Sequence, residues 1–209
     1  MNPARPAEGS QRRTPMAAAA LRQDASPRDA PDAVPPSAPA ALTWRERELA
    51  WLLVLHRTAE RRGVEAFFVI VSRLGDGLGW IFVVLLLPLV STSGLACALR
   101  MAGVGLVNVV VYVALKRSVA RPRPFIAHEH VRECTPALDR YSFPSGHTMH
   151  AVAFTVVLAE YFPIAAALAA TYALLVSASR LVLGLHYPSD VVIGAAIGAI
   201  TASAMFSLF

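Results

Sequence analysis

Three observations predict an all-α fold, a polytopic transmembrane helical bundle of about five to six membrane helices with an interfacial active site. The first is composition. Of the 209 residues, 56% are hydrophobic, above the roughly 45–50% of soluble domains, and mean hydropathy is +0.51. The second is charge: only 16% of residues are charged, and most of these lie before Arg73 or between Lys116 and Arg140. Long apolar runs therefore alternate with compact charged segments. The third is a set of three polar islands between those runs, at residues 116–124, 143–147 and 179–190.

The chain opens on residues 1–43, rich in Ala, Pro and Arg with few large apolar side chains. Such a segment buries too little surface to offset chain entropy, so a disordered tail is expected. Residues 44–209 are expected to form the membrane-embedded domain. Thr43 is a helix N-cap with Glu46 as its capping-box partner. The following 44–62 helix carries Trp44, Trp51, Leu52, Leu55 and Ala59 on one side. It either lies along the membrane interface or packs on the bundle.

Residues 64–71 are too short to cross a bilayer and run into Arg73, Gly75, Asp76 and Gly77, then into the apolar run 78–90. Either 78–90 crosses as a short helix or 64–90 is one broken span. The three-residue spacing of Arg73 and Asp76 suits a same-face ion pair on a helix; a contact to substrate is the alternative. Further crossings are expected at 95–115, from 148, at 164–183 and at 191–209. That makes five, with the 44–62 helix as a sixth element.

This order has a geometric consequence. The crossing that ends at Leu115 delivers Lys116 and Arg123 to one membrane face, and His147 starts the next helix from that face. The turn at Pro163 reverses the chain, so the following helix brings Arg180 and His186 back. All three islands meet on one side, and Arg73 and Asp76 should join them.

The islands hold what is needed to grip an anion and react with it. Lys116, Arg123 and Arg180 suit the non-bridging oxygens of a phosphate, Arg as a planar fork and Lys as a point charge. Charges so near the bilayer are costly and read as functional by default; interfacial snorkelling accounts for Arg117 and Arg121. Pro144-Ser145-Gly146-His147 is a small turn before a helix, where backbone N–H groups cradle an anion. Ser145 can add a hydroxyl bond, and His147 is placed to protonate a leaving oxygen. His186 and Asp190 are four apart, so the carboxylate can fix one imidazole nitrogen and free the other to attack; a plain structural pair is the competing reading. His128, His130 and His150 are assigned to surface or packing, and His56 to the first helix.

Net charge is +5 and the pI about 9.8, but the basic residues sit in the islands or flank membrane segments without interleaved aromatics, so nucleic acid is not an expected partner. The 2 cysteines, Cys97 and Cys134, imply neither a disulfide nor a metal site.

Lys116-x6-Arg123-Pro124, then Pro144-Ser145-Gly146-His147, then Ser179-Arg180-x5-His186-x3-Asp190 resembles the three-part signature of the type 2 phosphatidic acid phosphatase and vanadium haloperoxidase superfamily, over roughly residues 64–209. The resemblance implies a helical bundle and hydrolysis of a phosphomonoester or pyrophosphate with no metal or other cofactor. It makes His186 the nucleophile that forms a phosphohistidine, Asp190 its orienting partner and His147 the general acid. Lys116, Arg123, Ser145, Gly146 and Arg180 become phosphate ligands. The first crossing departs from the family pattern, being amphipathic or broken.

The expected partner is a membrane lipid substrate within the bilayer: undecaprenyl pyrophosphate, favoured on the small size of the chain, phosphatidylglycerophosphate or phosphatidic acid, with lipid A also open. A vanadate-dependent haloperoxidase is disfavoured by the apolar crossings, and an inactive scaffold by the intact His147, His186 and Asp190. Loop charges alone would put the islands in the cytoplasm. The resemblance instead implies a bacterial inner-membrane protein whose site faces the periplasm.

Overall fold

The computed structural model describes residues 42–208; the expected tail lies outside them except for Leu42 and Thr43. Among the described residues the order is α1 (Trp44–His56), a 3-10 turn (Arg57–Glu60), α2 (Arg62–Leu74), α3 (Leu78–Val90), α4 (Gly94–Val119), the short α5 (Pro124–Ala127), α6 (Gly146–Tyr161), α7 (Pro163–Val182) and α8 (Pro188–Leu208). The protein is an all-α transmembrane bundle. Helices α4, α7 and α8 are each long and apolar enough to cross a membrane. Helices α2 and α3 reach that length and hydropathy only as a pair, bent by 50° across the 75–77 break, as either a broken span or a re-entrant loop would be. Helix α6, with 16 residues, extends about 24 Å at 1.5 Å per residue.

Helix α6 is the hub, packed against α4, α7 and α8. Its buried positions combine the small or branched Ala151, Ala153, Val157 and Leu158 with the larger Met149 and Phe154. The closest approach is to α8. A Cβ at Gly194 would lie 2.6 Å from the Ser145 carbonyl oxygen, and one at Gly198 would lie 2.2 Å from that of Met149. These two glycines, one helical turn apart, let the backbones of α6 and α8 touch. Trp80 of α3 closes the core edge-on against Phe154, with ring centroids 5.1 Å apart. Outward-facing Leu78, Leu89, Leu106, Ile164, Leu168 and Leu174 are exposed, as expected of a surface that meets hydrocarbon chains.

Helix α1 begins with the predicted capping box, Thr43 and Glu46 bonding each other's backbone N–H groups. It is seated on the bundle by Glu48, Leu52 and His56, with Ala59 of the 3-10 turn, all buried, while Trp44 and Trp51 are exposed. The apolar stripe is therefore split, and two polar residues share the buried face. His56 explains part of this: its Nδ1 donates to the Val182 carbonyl at 2.8 Å, and its Nε2 accepts the Arg132 N–H at 3.1 Å. One imidazole thus ties α1 to the end of α7 and to the 128–143 loop.

Candidate active site

Helix α4 ends where Ala120 adopts the left-handed conformation (φ 48°) and returns its N–H to the Lys116 carbonyl. The chain leaves extended, bridged at Pro122 to Tyr141, which sets Arg123 at the head of α5. Ser145 is the N-cap of α6, and its N–H donates to the Asp190 carbonyl at 3.0 Å, joining the second island to the first turn of α8. The turn between α7 and α8 is closed by the Arg180 carbonyl, which accepts the Leu185 and His186 N–H groups at 3.0 and 3.1 Å. Gly184 makes that turn with φ 72°, and any Cβ there would meet Val131 at 2.7 Å.

The three islands converge. Arg123, 1% exposed, donates from Nη1 to the Leu185 carbonyl at 2.9 Å, and the same nitrogen lies 3.3 Å from His186 Nε2. Lys116, Arg123, Gly146, His147 and His186 line one cavity of about 710 Å³, whose walls continue along Trp80, Ile81, Val84 and Leu85 of α3 and Met101, Gly105, Val109 and Tyr112 of α4. Arg180, Ser145 and Asp190 are buried and do not line it. Arg180 donates to the Ser72 hydroxyl, while its Nε and His186 Nδ1 are buried with no hydrogen-bond partner among the described residues. Two orphaned polar atoms at one site are costly in a resting fold.

Asp190 Oδ2 lies 3.6 Å from His186 Nδ1, an ion-pair distance longer than a hydrogen bond. Its oxygens are held by the Tyr187 N–H and by Arg121 Nη1, each at 2.8 Å. Burial, reinforced by the charges of Arg180, Arg123 and Lys116, pushes the His186 imidazole well below its ordinary pKa. At neutral pH it is therefore uncharged.

Two sequence expectations are corrected. Arg121 does not snorkel. It stacks on the Tyr187 ring at 3.8 Å and bridges Asp190 to Glu48, the latter at 2.6 Å. Among the described residues Asp76 and Arg73 make no ion-pair contact and interact only through charge at longer range, because they flank the break at Gly75, where helical spacing no longer applies. Its carboxylate instead meets His147 Nε2 at 2.5 Å. Glu48 and Asp139 were missed. Asp139 binds Lys116 and Arg123, and only its charge amid a basic loop pointed that way. His150, expected at the surface or in packing, lines the same cavity, with its two ring nitrogens 2.8 and 3.3 Å from the Gly146 and Gly105 carbonyls.

A buried imidazole thus lies among fixed cations in the wall of a largely apolar cavity between the helices. The comparisons agree: a family model described as the PAP2 superfamily matches residues 94–209, and the chain belongs to that superfamily. The decaprenylphosphoryl-5-phosphoribose phosphatase of Mycobacterium tuberculosis is 35% identical over 147 residues, 67% of this chain and 77% of that protein. Its Mycolicibacterium smegmatis counterpart is 45% identical over 84 residues, 39% of this chain, and the match spans only 43% of that protein. The crystal structure of Aquifex aeolicus LpxE superposes with a TM-score of 0.68 at 26% identity, over 76% of this chain and 94% of that one.

Proposed function

We propose that this protein is a metal-independent membrane lipid phosphatase that hydrolyses a phosphomonoester or pyrophosphate through a phosphohistidine at His186. The observation that carries the reading is a buried, neutral imidazole facing the same cavity as Lys116 and Arg123. Lys116, Arg123 and the Gly146 N–H, which line the cavity, hold the non-bridging oxygens, and Arg180 and the Ser145 hydroxyl, buried in the resting site, join them once the phosphate seats. As the phosphate takes the donors of Arg123, His186 Nε2 is released to attack phosphorus. The bond to the leaving oxygen breaks, and His147 gives that oxygen its proton. Water then attacks the phosphohistidine and passes a proton to His147. The P–N bond breaks, and phosphate leaves with both histidines restored. Asp190, held by Arg121 and the Tyr187 N–H, steadies the imidazole and offsets its developing charge.

The cavity supports a substrate class. Its apolar walls suit a hydrocarbon chain, and its polar end suits the phosphate. The Mycobacterium tuberculosis relative is named for a decaprenylphosphoryl sugar phosphate. A polyprenyl-linked phosphate or pyrophosphate, such as undecaprenyl pyrophosphate, therefore leads, ahead of phosphatidylglycerophosphate and phosphatidic acid. The functional domain is residues 44–209, in a bacterial inner membrane with the site facing the periplasm. Labelling of Cys134 by an impermeant thiol reagent in intact cells tests that orientation; labelling only after lysis contradicts it.

The activity test is phosphate release in EDTA from a panel of these lipids, by detergent-purified wild type and His186→Ala. Release that survives EDTA and is lost in the variant is expected. Release by the variant at the wild-type rate, or none by folded wild type on any lipid, would overturn the reading.

A further inference from the structure

The cations that should hold phosphate already hold an anion of the chain itself. Asp139 Oδ1 accepts from Lys116 Nζ at 2.8 Å, Arg123 Nη2 at 3.1 Å and the Tyr141 N–H at 3.1 Å, and its Oδ2 accepts from Lys116 Nζ at 2.9 Å. Its main-chain carbonyl takes Arg123 Nε at 2.8 Å. Exposure is unequal across this cluster. The Lys116 and Arg123 side chains are 7% and 2% exposed, the Asp139 side chain 38%. The cations are fixed in the wall while the carboxylate rides on an irregular loop with an open path to water. Burial alone would raise the Asp139 carboxyl, but the hydrogen bond and charge of Lys116 and the charge of Arg123 hold it below the usual carboxylate range, so it is anionic at neutral pH.

We infer that Asp139 is a specificity-determining residue: an internal carboxylate that occupies Lys116 and Arg123 until a doubly charged phosphoryl group displaces it, and so holds off the singly charged phosphodiesters of the surrounding membrane. The inference rests on the phosphate-binding role proposed above for those two cations. A phosphodiester carries one negative charge, the same as Asp139, and is offered at no electrostatic advantage over a carboxylate already in place. A phosphomonoester or terminal pyrophosphate carries about two charges near neutral pH and three terminal oxygens. It satisfies both cations better than a carboxylate does, and the displaced Asp139 swings into water. A membrane phosphatase faces bilayer lipids that are mostly phosphodiesters, so a filter on headgroup charge has an evident use.

The test uses the full chain purified in detergent, with inorganic phosphate and dimethyl phosphate as ligands at about pH 8, where the first is a dianion and the second a monoanion. Affinities are read by calorimetry and by thermal shift. Wild type should prefer phosphate by at least about tenfold. Asp139→Asn should bind dimethyl phosphate roughly tenfold more tightly and narrow that preference. Asp139→Glu, which keeps the charge, should retain the wild-type ratio, and Asp139→Ser serves as a second neutral variant should the first fold poorly. Weaker binding of both anions by the neutral variants would make Asp139 a mere strut for Lys116 and Arg123 and overturn the inference. An unchanged ratio would also overturn it. Wild type that binds no phosphate at all would instead sink the phosphate-site reading, and this inference with it.

Discussion

Arg121 Nη1 donates to Asp190 Oδ1 at 2.8 Å while its Nη2 donates to Glu48 Oε2 at 2.6 Å. One guanidinium therefore links the first helix to the carboxylate beside His186. The Glu48 and Asp190 side chains are 3% and 0% exposed, so two buried negative charges depend on the same cation. Glu48 extends the link by accepting both the N–H and the hydroxyl of Ser189. This accounts for an acidic residue on the buried face of α1.

Arg121→Ala should accordingly destabilise the protein by about 3–5 kcal/mol, the usual cost of leaving a buried ion without its partner. Arg121→Lys should fall between, since an ammonium keeps the charge but cannot fork between two carboxylates. Denaturation of the detergent-purified variants checks both, and a wild-type midpoint for Arg121→Ala would contradict the linkage.

Gly194→Ala should separate α8 from the Ser145 turn, because the added methyl would sit 2.6 Å from the Ser145 carbonyl oxygen. Overpacking of this kind costs roughly 1–3 kcal/mol, and here it also shifts the turn that carries Ser145 and Gly146. Phosphate release should fall more than tenfold in protein that still folds, a size of effect expected from about 1.4 kcal/mol lost at the transition state. Gly103→Ala is the control. Its nearest new contact would be the flexible end of Met205 at 3.4 Å, and its activity should stay near wild type.

The pH dependence has a defined sign. His186 is held well below its ordinary pKa in the folded protein, so the unfolded chain binds its proton first. Its contribution to stability is fully present above the unfolded value of about 6.5 and is lost as pH falls below it. Unfolding measured from about pH 7.5 down to 5 should show wild-type stability declining, with a shallower decline in His186→Gln. Equal slopes would place the loss on other groups. By the same logic, the acid limb of activity attributable to His186 should lie well below about pH 6.5.

The three islands were legible because each packs its chemistry into a few consecutive residues, and because alternate crossings return the chain to the same face. The α1 capping box was legible for the same local reason. What escaped was tertiary. Asp76 lies 71 residues before His147, and helical spacing pointed it at Arg73; the glycines at 75 and 77 signalled a break, here with Gly77 at φ 104°, but not which distant side chain Asp76 would meet. Glu48 and Arg121 are 73 apart. Arg121 looked like a membrane-boundary arginine until its two acids were brought beside it. Asp139 was hidden by its loop, which has no periodicity to fix where a side chain points.

The central claim is covalent chemistry at His186, and trapping the intermediate tests it most directly. Wild type mixed with a lipid phosphate substrate and quenched in base within milliseconds should yield a peptide phosphorylated on His186, found by mass spectrometry. The adduct should be absent from His186→Gln, and in His147→Ala it should form more slowly, because the leaving oxygen then lacks its proton donor. A substrate-derived phosphate on any other residue, or full turnover with no phosphohistidine at any quench time, would contradict the account.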